Sequence, residues 1–415
     1  MLLISHPTGN PNVRALLEAA LRTGHLGIFT TALGFAGAPS WLGMLPLSWR
    51  NEVKRRCYNL PGGSLTSRPL REATRLLSRK LGWGHIARHE AGWASVDAVY
   101  RDLDWHVASR LSDWARHQKL SAAYAYEDGA LATLTTARSL GIKAAYDLPI
   151  AYWQTARQLL EEEALRHPEW EPTLVSTQDS PEKMDRKTAE VGAADLVVCP
   201  SQFVLDSIPK HLRQGRRCIV AEFGSPAASA SVRQAPVNRR VRFLFAGSMG
   251  QRKGLADVFS AFRLLKRTDV ELVVMGSLLM PMNFYRRHGG DFTYEATRSH
   301  AEVLALMDSC DALLLPSIVE GRALVQQEAL SRGLPIIVTR NAGGEDLVEE
   351  GRTGFLVPMR SPEALAECIA WVADHARDLP EMSMHSRRMA ARFTWQGYAE
   401  KILTAIAPHR NAAAG

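Results

Sequence analysis

Residues 241–276 read VRFLFAGSMGQRKGLADVFSAFRLLKRTDVELVVMG. VRFLFAG (241–247) and VELVVMG (270–276) are short, nearly unbroken apolar runs, the pattern of strands covered on both faces. Between them LADVFSAFRLLKR (255–267) spaces its apolar residues at helical intervals. Strand, helix and strand in this form predict a parallel pair joined by a right-handed crossover, hence an α/β sheet. Ligands of such sheets bind beyond the carboxyl ends of the strands. The loop SMGQRKG (248–254) lies there. Ser248, Gly250 and Gly254 let backbone approach a ligand. Arg252 and Lys253 place two cations where a helix begins and free amides already favour an anion. An isolated Arg–Lys pair is ordinarily a solvated turn; after a parallel strand it is read as a diphosphate site.

The alternation extends in both directions. Downstream, SHAEVLALMDS (299–309) reads as a helix and DALLLPS (311–317) as a strand. Helix 323–332, strands PIIVT (335–339) and GFLVP (354–358), and helix 362–374 follow. Upstream, LLIS (2–5), LGIFTT (26–31), SAAYAY (121–126), IKAAYDL (142–148), DLVVCPS (195–201) and CIVAEFG (218–224) read as strands. Helical stretches lie between them, notably 151–166 and 182–192. SPAASASVRQAPVNR (225–239) has linker composition. Two α/β domains are expected, 1–225 and 240–395, joined by 226–239 and facing each other across a crevice.

The 415 residues suffice for two domains, and 46% hydrophobic with 22% charged residues is a globular balance. No apolar run reaches transmembrane length, and MLLISHPTGN (1–10) lacks the features of an export signal, so a cytoplasmic location is expected. Cysteines 57, 199, 218, 310 and 368 show no CxxC spacing, which argues against a zinc site or a disulfide framework. Cys199 and Cys310 are read as buried thiols. Lysine and arginine exceed the acids by seven, which suits an anionic partner without choosing one.

PSIVEGRALVQQEALSRGLPIIV (316–338) raises a second question. Glu320 stands at the mouth of a strand and Glu328 inside the helix that follows, too far apart for an ordinary surface pair. Gly321 permits close backbone approach, and the amides of Arg322, Ala323 and Leu324 form a free helical turn. A carboxylate at Glu328 suits the paired hydroxyls of a ribose, and Glu320 suits hydroxyls of a transferred group. Two exposed glutamates near a helix start are the plainer alternative.

With these stretches in hand, the chain resembles the retaining glycosyltransferases of family 4, group 1 glycosyl transferases with the GT-B fold. Glu320 and Glu328 match the family's glutamates separated by seven residues, and AGSMGQRKG (246–254) matches its strand–Gly–loop–Arg–Lys–Gly element. GLPIIVTRNAGGEDLVEEGRTGFLVP (333–358) and RFTWQGYAEKI (392–402) are also similar. The likeness is specific over roughly 240–400 and looser before 195, where AADLVVCPSQFVLDSI (193–208) is its best piece. It implies two Rossmann-like domains across a donor/acceptor cleft, with 396–415 a helix returning to the first. It implies transfer of a hexose from a nucleoside-diphosphate sugar to a hydroxyl acceptor, a glycan, lipid-linked or small molecule, in cell-surface polysaccharide or glycoconjugate synthesis. Arg252 and Lys253 would hold the diphosphate beside Gly247 and Ser248, Glu328 the ribose, and Glu320 the donor sugar with Gly321, Arg322, Ala323 and Leu324. Gly9 and Asn10 in HPTGNPN (6–12) would close over the phosphates. Asp147 would act from the first domain, with Glu127 and Asp128 as competitors. No metal or cofactor is implied.

The family commonly reads Glu-Gly-Phe-Gly-Leu where this chain has Glu-Gly-Arg-Ala-Leu, so Arg322 is expected to reshape the pocket or add a cation to it. Asp102-x-Asp104 reads as a solvated helix face, and His85 with His89 as an i,i+4 pair in surface or packing roles. WLGMLPLSWRNEVKRR (41–56) joins an apolar anchor to a basic cluster. It is read as a core helix with a solvated basic end, or as a peripheral membrane contact at the inner face. A nicotinamide-dependent oxidoreductase lacks its Gly-x-Gly-x-x-Gly turn here, and no nucleic-acid-binding module is recognisable. A catalytically inactive GT-B module acting as a binding partner is the remaining alternative.

Overall fold

The computed structural model describes residues 1–174, 178–229, 234–236 and 238–407. In the first half, β1 (Leu2–Ser5) and β2 (Leu26–Thr31) precede a short pair, β3 (Phe35–Ala36) with β4 (Cys57–Tyr58). Then come β5 (Leu65–Ser67), β6 (Ala122–Tyr126), β7 (Lys143–Asp147), β8 (Leu196–Cys199) and β9 (Arg217–Val220). Apart from that pair they form one sheet in the order β5-β2-β1-β6-β7-β8-β9. In the second half, β10 (Val241–Ala246), β11 (Val270–Met275), β12 (Thr293–Glu295), β13 (Ala312–Leu315), β14 (Ile336–Thr339) and β15 (Gly354–Val357) form another, ordered β12-β11-β10-β13-β14-β15. The ladders of both sheets are parallel.

β1, β2, β8, β13 and β14 are buried at every position, which is why their sequences carry no polar alternation. Edge strands β5 (LTS) and β12 (TYE) are short, polar and half-buried, so no apolar run announces them. Cys199 and Cys310 are buried as expected. Strand order reverses between β1 and β6 and again between β10 and β13. At such points neighbouring loops diverge and open a crevice. The loops after β1, β10 and β13 are therefore set beside each other by topology.

The linear boundary does not separate the packing. Trp170 precedes the linker yet is 2% exposed in the core of the second sheet, edge-on to Phe284 at 4.9 Å and Tyr285 at 5.9 Å. In return, helix Trp395–Ile406 packs on helix Pro11–Arg22, and its Tyr398, Ala399, Ile402, Ala405 and Ile406 join the core of the first sheet. The two chain crossings touch: Ser225 N–H donates to the Phe393 carbonyl at 3.0 Å. Residues 230–233 and 237 of the expected linker, and 408–415 of the expected final helix, lie outside the described residues.

Three readings need correction. Asp102 and Asp104 are no solvated face: Asp102 pairs with Arg68 at 3.1 Å, and buried Asp104 accepts the Ala132 and Thr133 amides at 2.8 Å. His85 lies in the short turn Gly84–Ala87, which ends before His89, so no single helix face carries both, although both are exposed as a surface role requires. Segment 41–56 breaks into a turn, Ser40–Met44, and a helix, Leu47–Lys54, with Met44 84% and Leu47 73% exposed. It is not a packed core helix. Among the described residues no helix is long and apolar enough to cross a membrane.

Candidate active site

The basic loop is shaped by glycines. Gly254, at φ +76°, begins helix Leu255–Leu265, and a Cβ there would stand 2.1 Å from the Pro316 carbonyl oxygen. Only glycine lets the loops after β10 and β13 approach so closely. Ile318 N–H then donates to the Arg252 carbonyl at 2.9 Å, and Arg252 Nη1 donates to the Val319 carbonyl at 2.9 Å. This stitching delivers Glu320 to both cations: its Oε1 accepts from Lys253 Nζ at 2.5 Å and lies 2.9 Å from Arg252 Nη1. Burial opposes charge on Glu320, but the adjacent Lys253 and Arg252 outweigh it and hold the carboxyl at about 2.

Behind the loop, fully buried Gln251 acts as a peg. Its backbone N–H donates to Thr173 Oγ1 at 3.1 Å, and its Nε2 donates to Glu163 Oε1 at 2.7 Å and Asp257 Oδ2 at 3.2 Å. Arg360 Nε donates to the other Glu163 oxygen at 2.7 Å. Helix Trp153–Arg166 and the turn Pro168–Thr173 thus clamp the basic loop from the first half of the chain.

A cavity of about 650 Å3 lies in front. Asn10, Gly247, Arg252, Lys253, Glu320, Arg322, Ala323, Leu324 and Glu328 of the expected residues line it. Asn12, Tyr126, Pro149, Phe223, Arg298, His300 and Val303 line it too, and sequence reasoning missed them. Pro11 and Asn12 belong to the first turn of helix Pro11–Arg22, which carries no acid, so a second helix N-terminus faces the cavity from the first sheet. Glu328, fifth in helix Leu324–Ser331, is 18% exposed with His300 Nδ1 at 3.4 Å. Burial pushes its carboxyl up, against the pull of His300.

Four expected residues stand apart from the cavity lining. Gly9 is covered: its carbonyl accepts Arg14 Nε at 2.9 Å, and a Cβ would meet the Tyr58 hydroxyl at 2.4 Å. The Ser248 carbonyl accepts Gly250 N–H at 2.8 Å, closing the turn. Gly321 approaches protein rather than open space: a Cβ would stand 1.7 Å from the Pro149 carbonyl oxygen, and its own carbonyl accepts Ser201 Oγ at 2.6 Å. Asp147 is 3% exposed beneath the site, accepting from Asn12 Nδ2 at 3.4 Å, and burial pushes its carboxyl up to about 7. The structure does not bring it to Glu320. Its competitors Glu127 and Asp128 line a neighbouring cavity of about 290 Å3 that reaches Val319 and Trp153.

Arg322 adds no cation to the cavity. Its guanidinium turns inward, donating to the Gly343 carbonyl at 3.1 Å and Asp346 Oδ1 at 2.7 Å and lying 4.9 Å over the Phe393 ring. Asp346 neutralises the charge, which explains how arginine is accommodated there.

The family Glycosyl transferases group 1 matches residues 240–375. The chain is 27% identical over 186 residues to a D-inositol 3-phosphate glycosyltransferase of Paenarthrobacter aurescens, covering 40% of this chain and 46% of that protein. It is 33% identical over 102 residues to a sucrose synthase of Acidithiobacillus caldus, 23% of this chain and 13% of that one. It thus spans less than half the length of either curated relative. A sucrose-phosphate synthase of Thermosynechococcus elongatus superposes with a TM-score of 0.66 at 15% identity, covering 97% of each chain. Anabaena HepE in complex with UDP superposes with a TM-score of 0.60 at 15% identity, over 98% of this chain and 99% of that one. The chain has the GT-B fold, and its residues 240–375 match the glycosyl transferases group 1 family.

Proposed function

We propose that the protein is a retaining glycosyltransferase that moves a hexose from a nucleoside-diphosphate sugar to a hydroxyl acceptor, in cell-surface polysaccharide or glycoconjugate synthesis. The observation that carries this reading is the sharing of one carboxylate oxygen of Glu320 by Lys253 and Arg252 inside a cavity that Glu328 also lines. Two cations and two helix N-termini make a seat for a diphosphate, and the carboxylates accept sugar hydroxyls on either side of it. Structural neighbours solved in complex with UDP and with UDP-2-fluoro glucose support a nucleoside-diphosphate donor.

In this reading Arg252 and Lys253 turn toward the phosphates, and Glu320, relieved of them, takes hydroxyls of the donor sugar. The acceptor enters from the side of Glu127 and Asp128. The bond from the anomeric carbon to the phosphate oxygen breaks, the bond to the acceptor oxygen forms on the same face, and the acceptor proton passes to the leaving phosphate. The protein's part is to stabilise the leaving charge, commonly the largest catalytic contribution.

A thermal-shift panel of UDP, GDP, ADP and NAD, followed by a donor hydrolysis survey across sugar nucleotides, tests it. Stabilisation by a nucleoside diphosphate, lost in Arg252→Ala and Lys253→Ala, with turnover of one donor is the expected result. Binding without turnover of any donor makes the chain an inactive GT-B module, and stabilisation by NAD alone overturns the reading.

A further inference from the structure

Helix Pro69–Leu81 begins at a second cavity, of about 350 Å3, which shares no lining residue with the donor cavity. Its walls include Arg68, Arg71, Arg110, His106, Asp102 and Trp93. Asp102, the one carboxylate among the lining residues, takes Arg68 at 3.1 Å and Arg71 at 3.9 Å. Three guanidinium groups against one carboxylate leave the walls cationic.

The helix opens here without a side-chain cap, and proline at its first position leaves the amides of Leu70 and Arg71 next in line. Its first-turn acid, Glu72, is turned away, bonded to Arg56 at 2.9 Å and Arg75 at 2.7 Å. His106 supplies an independent sign of a ligand. It is 6% exposed, lines this cavity, and its buried Nε2 has no hydrogen-bond partner. A buried polar atom without a partner is costly unless something binds it. Burial first, then Arg110 and Arg68, lower its imidazole below the usual range, which favours the neutral ring, and the Nε2-protonated form of that ring can donate to a phosphate oxygen.

The rim is apolar. Leu70 is 69% and Trp93 49% exposed at the cavity, and Leu77 and Leu81 continue the Leu70 face along the helix, 45% and 54% exposed. Exposed Met44 and Leu47 lie on the neighbouring segment, tied to this helix by the Lys80 ammonium 3.5 Å from the Trp49 ring. Exposed leucine, methionine and tryptophan on neighbouring segments around cations describe an interfacial surface. A free anion would use the cations but not the leucines; a phospholipid uses both.

We propose that this face docks on an anionic phospholipid bilayer, with a headgroup phosphate seated among Arg68, Arg71, Arg110 and His106 Nε2 and with Leu70, Leu77 and Leu81 entering the acyl boundary. The contact extends beyond 41–56 to a helix that no motif singled out.

Sedimentation of the full chain with vesicles tests this, whether or not it transfers sugar. It binds phosphatidylcholine vesicles containing phosphatidylglycerol, and binds phosphatidylcholine alone far less. Arg110→Glu, at an exposed position, lowers partition about tenfold at low salt, and added salt erases the difference. Leu77→Glu lowers it comparably. Circular dichroism unchanged in both variants confirms folding. Two variants that sediment like the parent overturn the proposal. So does inorganic phosphate that stabilises the parent but not Arg110→Glu while neither vesicle binds, since that marks a site for a soluble anion.

Discussion

Lys253 Nζ donates to Glu320 Oε1 across 2.5 Å, joining the cation assigned to the donor phosphate and the carboxylate assigned to the donor sugar in one ion pair. Arg252, at 2.9 Å from the same oxygen, makes the group a triad with one net positive charge. Such a triad holds its own side chains in place and still favours an anion.

Lys253→Ala removes one of the two cations proposed to hold the phosphates. A hydrogen bond to a charged group is worth roughly 1.5–3 kcal/mol, so nucleoside-diphosphate affinity falls about 10- to 100-fold. Glu320→Gln has the opposite sign for binding. It releases both cations, so the diphosphate binds as well or better while sugar transfer drops about 100-fold. Calorimetry with the diphosphate, beside turnover of the donor, separates the two.

Glu328→Ala weakens the donor at the ribose and leaves the phosphates held. Affinity for the nucleoside diphosphate falls about tenfold. More telling is the ratio between a ribonucleotide and its 2′,3′-dideoxy analogue. It is large in the parent and collapses toward one in the variant; a ratio that survives removes the ribose assignment.

Gly321→Ala separates domain closure from binding. The added Cβ would stand 1.7 Å from the Pro149 carbonyl oxygen, so the loops after β13 and β7 must part. Overpacking of this kind costs about 1–3 kcal/mol. Transfer falls about tenfold or more while nucleoside-diphosphate affinity changes little, because Arg252 and Lys253 stay with Gly321 on the second sheet's loops and the Pro149 loop of the first sheet is what gives way.

Stability falls as pH rises from 6.5 to 8. Burial holds the Asp147 carboxyl at about 7 and, with Asp128 nearby, Glu190 at about 8, so when folded Asp147 keeps its proton up to about pH 7 and Glu190 up to about pH 8, while both are ionised when unfolded in this window. The folded state binds more protons there, so raising the pH disfavours it, by up to about 1.4 kcal/mol per pH unit for each group. His6, held at about 3 by burial, has its opposite effect below 6.5, where the unfolded imidazole takes a proton and the folded one does not. Melting temperature across this window checks the sign, and Asp147→Asn with Glu190→Gln flattens the curve.

Much of the fold was legible because the parallel strands are buried on both faces and read as unbroken apolar runs. Edge strands β5 and β12 escaped for the converse reason: they are short, polar and half-buried. Arg252, Lys253 and Glu320 were legible as candidates because each follows a readable strand on a loop that topology sends to the crevice, and Glu328 because it lies early in the helix that follows such a loop. Arg322 was misjudged because its counter-charge, Asp346, comes from a separate loop. Asp147 ends a readable strand, but its carboxylate meets Asn12 rather than the cavity itself, since alternation along a strand says which residues share a face and not which groups reach the cleft.

The sequence alone determined that the chain builds two parallel α/β sheets and which loops project past their carboxyl ends, because apolar periodicity and turn chemistry act over a few neighbouring residues. Only tertiary structure decided what each charge meets. Lys253 and Glu320 are 67 positions apart, Glu163 and Arg360 are 197 apart, and the unpartnered His106 faces a helix start more than thirty positions upstream. The electrostatic role of a charged group depends on the burial and partners that distant segments supply, and no local pattern carries that information.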